Sequence, residues 1–294
     1  MPHGSRPAVA SPHLHSYSLG VPVCNQAWDP HFHERSRLFD VYGTITSQFA
    51  GRGEWPGPAE FTAAAEAQRL DRAPEERRLE FVLTQPKSRR TRQRKVDANE
   101  LYDGRIVSRG EIPCLPASYH DLFNAIVFAA FPRSKRALHA RQHAVQKTWV
   151  PAGALRLPSR RTREQDALTI FDEGGSIVVM TESAHQAWRQ SKEPLLLELD
   201  KQVQVLLFGH AIMELLHELP AAPRASIRSC AVVLAVAELN AGNALLTQVD
   251  QWLAQRLSDP TEFLAPKGDT VLVLEADGSL RLGTSHHIEN RSKT

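Results

Sequence analysis

Cysteine is scarce in this chain. Cys24, Cys114 and Cys230 are its three cysteines, odd in number and widely spaced. That leaves no disulfide framework and no paired-cysteine zinc site, and a reducing, cytoplasmic compartment is the simplest expectation. Long apolar runs are missing as well. The longest, Ala125 to Phe131, falls far short of the ~20 apolar residues that a bilayer span needs, so no membrane location is expected. The first 25 residues hold Pro2, Pro7, Pro12 and Pro22 among scattered histidines, with no apolar run of signal-peptide length, and read as a disordered tail. Also absent are a P-loop, a Gly-x-Gly-x-x-Gly, a Gly-x-Ser-x-Gly elbow and a Cys-x-x-Cys. Nucleotide-driven and serine-hydrolase chemistry therefore find no support.

What is present begins with an ordinary globular balance, 42% hydrophobic and 23% charged residues. A single globular domain is expected over 26–260, followed by a divergent C-terminal hairpin and tail over 261–294. The net charge of +2 hides an asymmetry. Between Lys87 and Arg163, 17 Lys or Arg stand against 5 Asp or Glu, while the rest of the chain is acidic. A basic middle in an acidic surround points to an anionic partner or an internal docking surface. Its densest part, KSRRTRQRK from Lys87 to Lys95, reads either as a solvated loop or as an arm for phosphate or nucleic acid. No aromatic residue interleaves with the charges, which weighs against base stacking on a single strand.

Periodicity predicts an α+β chain, helix-rich, with short β-hairpins. Phe32, Leu38, Phe39, Tyr42, Ile45 and Phe49 have helical spacing after Asp29-Pro30, and Pro58 to Ala73 reads as a second helix. Leu79 to Leu83 reads as a strand. Ala167 to Phe171 and Ser176 to Thr181 read as strands joined by a hairpin turn at Asp172-Glu173-Gly174-Gly175. Leu195 to Leu219 reads as mainly helical, Ala231 to Ala237 as a buried strand, and Leu245 to Leu257 as an amphipathic helix. Val271 to Leu274 and Leu280 to Leu282 form a final hairpin around Asp277-Gly278.

The chemistry gathers around Tyr119 to His143. Leu122 to Phe131 is apolar around its whole circumference apart from Asn124, so it should be buried, and its polar neighbours need partners. His120, Asp121 and Asn124 share one end of that helix. They read either as a capping cluster, with Asp121 or His120 as the cap, or as an acid/base or metal-ligand group. Pro132 should restart a helix, placing Arg133, Lys135 and Arg136 in a first turn that already carries partial positive charge. Cations there call for an anion, and Arg161 and Arg163 would complete the pocket if they faced Arg133. Asp166 reads as an ion-pair partner or a further acid/base group. His139 with His143, and His210 with Glu214 and His217, have helical spacings that a metal could use, but also those of ordinary helix faces. No cofactor, metal identity or oligomeric state is indicated.

Four ordered segments resemble a bacterial family, domain of unknown function 3025. They are YDGRIVSRGEIP (Tyr102 to Pro113), YHDLFNAIVFAAFPRSK (Tyr119 to Lys135), QDALTIFDE (Gln165 to Glu173) and LFGHA (Leu207 to Ala211). The likeness runs from about Trp28 to about Pro260. The family pattern has Trp at Phe128, Asn at His139 and Thr-Arg at Cys114-Leu115. The resemblance brings relatives but no reaction. Two functional expectations follow from the residues. The first is a hydrolase or transferase acting on an anionic substrate such as a phosphorylated one. There His120, Asp121, Asn124, Asp166 and His210 do the chemistry, and Arg133, Lys135, Arg161 and Arg163 hold the anion. The second is an adaptor docking nucleic acid or an acidic partner through the basic middle.

Overall fold

The computed structural model describes residues 26–67, 77–84, 95–191, 193–218, 226–264, 270–275 and 277–284. The expected N-terminal tail and the basic run up to Arg94 lie outside the described residues. The chain is α+β, as its periodicity predicts.

The first apolar stretch is not one helix. It breaks into 3-10 turns at Phe32–Arg35 and Arg37–Tyr42, followed by α1 (Gly43–Thr46). Ser36 is the cause: its backbone is extended, and its side chain accepts from Leu38 N to restart the helical path. Phe32, Leu38, Phe39, Tyr42, Ile45 and Phe49 are nonetheless all buried. After α2 (Pro58–Ala67), β1 (Glu80–Leu83) pairs in parallel with β2 (Glu111–Cys114). Between these two strands lies α3 (Tyr102–Arg109), ended by Gly110 at φ +75°, a left-handed cap that suits glycine.

α4 (Tyr119–Ala130) is the hydrophobic axis of the molecule. Every residue from Leu122 to Ala130 is buried, the fate of a helix apolar on all sides. Its N-cap is Ser118, whose side chain accepts from Asp121 N, rather than His120 or Asp121. The chain turns at Phe131, and Pro132 opens α5 (Pro132–Trp149) at its first position, the expected restart.

The segment Ala167–Phe171 is helical, not extended. It belongs to α6 (Arg163–Gly174), which a capping box between Thr162 and Gln165 starts. Ala167, Leu168 and Phe171 then share its buried face. Asp172 to Gly175 is consequently a helix-to-strand junction rather than a hairpin turn. It leads into β3 (Gly175–Thr181), which is followed by α7 (Glu182–Gln190), β4 (Leu195–Leu197) and β5 (Val203–Leu207). Where a mainly helical segment was expected, two strands therefore precede α8 (His210–Glu218). Val203, Val205 and Leu207 are buried in β5, where the strand pairs antiparallel with β3.

β6 (Ile227–Val236), α9 (Gly242–Ser258), β7 (Thr270–Leu274) and β8 (Leu280–Thr284) complete the chain. The six-stranded sheet has the order β4-β8-β7-β6-β3-β5. β3 runs parallel to β6 near the centre, and its first six residues are buried. The expected final hairpin is β7–β8, and it joins this sheet through β6. No helix among the described residues is long and apolar enough to cross a membrane.

Candidate functional site

Two glycines, Gly175 and Gly209, bring the site together. Phe208 N and Gly209 N both donate to Gly175 O, at 3.0 and 2.8 Å, which fastens the β5–α8 turn to the end of α6. A Cβ on Gly209 would lie 2.6 Å from Glu173 O, and one on Gly175 would lie 2.4 Å from Phe171 O. Only glycine permits so close a backbone approach. Its result is that His210, the first residue of α8, stands beside Glu173, with Nε2 3.4 Å from Oε2.

α4 delivers the third group. His120 Nε2 lies 3.1 Å from His210 Nε2, with the two rings edge to face. On its far side, His120 Nδ1 lies 3.1 Å from Glu214 Oε2, one turn along α8 from His210. His210 is almost fully buried, whereas His120, Glu173 and Glu214 each keep between a fifth and a third of their side chains exposed. Solvent therefore reaches three of the four, and His210 closes the inner end.

The surroundings set opposite preferences on the two imidazoles. Burial alone would lower the His120 pKa. The Glu214 hydrogen bond and the nearby Glu173 and Asp121 charges outweigh it and raise the value. For His210, burial together with the His120 and Lys135 charges holds the ring well below the usual imidazole range. Burial, and then Asp172, push the Glu173 carboxyl up against the opposing pull of His120 and Lys135. The Nε2–Nε2 contact is within hydrogen-bond distance. His210 Nδ1 is buried with no hydrogen-bond partner among the described residues.

A second polar group lies behind the first. Lys135, fully buried, donates from Nζ to Asp172 Oδ1 at 2.5 Å and lies over the Phe128 ring. His139 Nδ1 meets Asp103 Oδ1 at 2.8 Å, and Asn124 Nδ2 donates to the Tyr102 hydroxyl at 3.0 Å. Burial of that hydroxyl near Asp172 pushes its pKa well up.

Of the residues singled out from sequence, His120 and His210 meet directly. Asp121 turns its carboxylate to Leu115 N, at 3.0 Å, and reaches His120 only through its charge. Asn124 turns to Tyr102. Asp166 sits two turns before Glu173 on α6, roughly 10 Å along the axis. At the start of α5 the anion that the cations call for is a side chain of the protein itself. Asp250, from α9, accepts from Arg133 N and Ser134 N at 3.0 and 2.8 Å. Lys135 is committed to Asp172. Arg161 donates from Nη1 to Thr169 Oγ1 on α6 at 3.4 Å, and Glu164, beside Arg163, pairs with Arg141, which lies eight residues, or about 12 Å, along α5 from Arg133. His143 bonds Asn99 at 3.0 Å, and His217 packs on the Tyr119 ring, so neither helical histidine spacing forms a metal pair. A shallow depression is lined by Arg133, Gln251, Gln255, Ser258 and Asp259, and by none of the clustered residues.

Glu173 is the residue that sequence reading assigned to a turn. The available signal was glycine: Gly174-Gly175 follows Glu173, and Gly209 precedes His210. Glycines flanking polar residues in two segments mark a backbone close approach.

The family model described as "Protein of unknown function (DUF3025)" matches residues 89–272, which include His120, Glu173, His210 and Glu214. Comparison with curated proteins and with solved structures found no match. The chain belongs to the DUF3025 family.

Proposed function

We propose that this chain is a hydrolase whose water-activating centre is the group His120, His210, Glu173 and Glu214. One observation carries the reading: the two Nε2 atoms face each other at 3.1 Å with a carboxylate 3.4 Å from the inner one. Purely structural histidines usually spend their ring nitrogens on carbonyls or carboxylates. Here two ring nitrogens face each other within hydrogen-bond distance, beside carboxylates that solvent can reach. That is a proton-transfer device: His210 accepts, His120 donates, Glu214 fixes the His120 ring, and Glu173 can take a proton from an incoming water. Asp121 supports the charge on His120 from behind.

An anionic, phosphorylated substrate is the class that the basic middle of the chain favours. Arg161 and Arg163 would hold it at the opposite end of α6, roughly 15 Å along the axis from Glu173. That distance suits an extended substrate rather than a small one.

The test is turnover of p-nitrophenyl phosphate, bis-p-nitrophenyl phosphate and p-nitrophenyl acetate by the purified full chain. Glu173→Gln and His210→Asn, checked for native circular dichroism, should lower turnover about 10²–10⁴-fold. Absence of turnover on all three probes, or variants as fast as the parent chain, refutes the reading.

A further inference from the structure

We infer that the same centre is a binding site for a divalent first-row transition metal of the zinc class, with His120 Nε2, His210 Nε2 and the Glu173 carboxylate as its three protein ligands. The inference shares its location with the hydrolase reading, but its test needs no turnover.

Geometry is the first argument. A tetrahedral ion bound at ~2.0–2.1 Å to nitrogen and ~2.0–2.2 Å to oxygen keeps its ligand atoms about 3.3–3.5 Å apart. His120 Nε2 to His210 Nε2 is 3.1 Å, and His210 Nε2 to Glu173 Oε2 is 3.4 Å. All three donor atoms lie within 4.8 Å of one another. Ring nitrogens at that spacing sit where a shared ion would hold them.

The surrounding contacts are the second argument. A metal-bound histidine is normally oriented by a carboxylate or carbonyl on its other nitrogen. His120 Nδ1 has Glu214 at 3.1 Å. His210 Nδ1 is a buried atom without a hydrogen bond among the described residues, so Nε2 is the ring nitrogen that faces the other donor atoms. Burial supplies the third argument. His210 is 3% exposed, and an imidazole buried this deeply facing a second imidazole gains most from a partner that bonds both.

Two histidines and one carboxylate leave a fourth position open, and open three-ligand sites are the catalytic type rather than the structural type. Water in that position would be acidified by the ion. The solvent-reachable faces of His120 and Glu173 are where it would enter.

The experiment is zinc binding to the chelator-stripped full chain, followed by isothermal titration and by Zn²⁺-dependent thermal shift. The visible absorption of bound Co²⁺ reports the geometry. One equivalent of zinc should bind, and Co²⁺ should give a tetrahedral spectrum. His120→Asn and His210→Asn should abolish both signals, and Glu214→Gln, which keeps every ligand, should weaken binding about 10–100-fold. His3, His13, His15, His286 and His287 lie near the termini and stay in all variants, so weak terminal binding is common to every sample. Stoichiometric binding with no ester turnover supports the metal site and refutes the hydrolase reading. Turnover that survives stripping, with no zinc-induced shift in the parent chain, overturns the metal site and leaves the hydrolase standing. Zinc bound equally well by His210→Asn also overturns it.

Discussion

Asp172 and Glu173 are neighbours on the last turn of α6, yet they belong to different kinds of structure. Successive helical residues point about 100° apart, so one carboxylate enters the α5 side and the other the α8 side. Asp172 meets Lys135 at 2.5 Å, and that lysine is fully buried. Glu173 keeps 31% of its side chain exposed and meets a histidine that already faces a second one. On the lysine side the ion pair is matched inside the protein, with the lysine fully buried. On the histidine side one ring nitrogen, His210 Nδ1, has no hydrogen-bond partner among the described residues, and solvent has access to the carboxylates. A closed ion pair belongs to the framework, while an open and under-satisfied cluster belongs to chemistry.

The strongest way to break this comparison is to remove each carboxylate in turn. Asp172→Ala strands a buried lysine and should cost about 3–5 kcal/mol in urea unfolding. Glu173→Gln should cost less than about 1 kcal/mol, as a partly exposed change outside the core usually does. Equal costs would erase the distinction between the two sides. A smaller effect is expected from the other internal anion. Asp250→Ala frees two amides at the start of α5 and should lose about 1–2 kcal/mol, the usual worth of an N-cap. Ester turnover per folded molecule should stay at the parent level. A loss of turnover in proportion to that of Glu173→Gln would move the α5 start into the site.

The mildest test concerns histidines outside the cluster. Burial, and then Lys147, hold His143 below its ordinary pKa. Burial, and then Arg35, do the same for His217 against the pull of Asp29. In both cases the unfolded chain binds the proton more readily, so their contribution to stability is complete above about pH 6.5 and is lost as pH falls through the folded values. The melting temperature should therefore drop between about pH 7 and pH 5, and His143→Gln with His217→Gln should flatten the slope. A slope unchanged by both substitutions would refute the assignment.

Local features were legible in the sequence, and long-range ones were not. The burial of Leu122 to Phe131 follows from composition alone, and the restart at Pro132 from a ring that fixes φ. The β7–β8 hairpin follows from Asp277-Gly278 between apolar runs. The α6 helix was written in the chain as Thr162-x-x-Gln165 ahead of an apolar stretch, a capping box that the β-like look of Ala167–Phe171 concealed. That misreading turned Glu173 into a turn residue. The meeting of His120 with His210 spans 90 residues and that of Arg133 with Asp250 spans 117, so no local pattern announces either. The demand for an anion at the α5 start could be read from sequence, but its source in α9 could not.

The Gly209 contact carries a consequence for how such a centre can diversify. Main-chain atoms alone gauge the distance between positions 173 and 210, because Gly209 presses on the carbonyl of Glu173 and the amide of Gly175. The side chains at 173 and 210 are mounted on that gauge without contributing to it. Exchanging them alters which donor atoms are presented while the span between the two mounts persists. Placing any side chain at 209 does the reverse, keeping every reactive group and spoiling the interval between them.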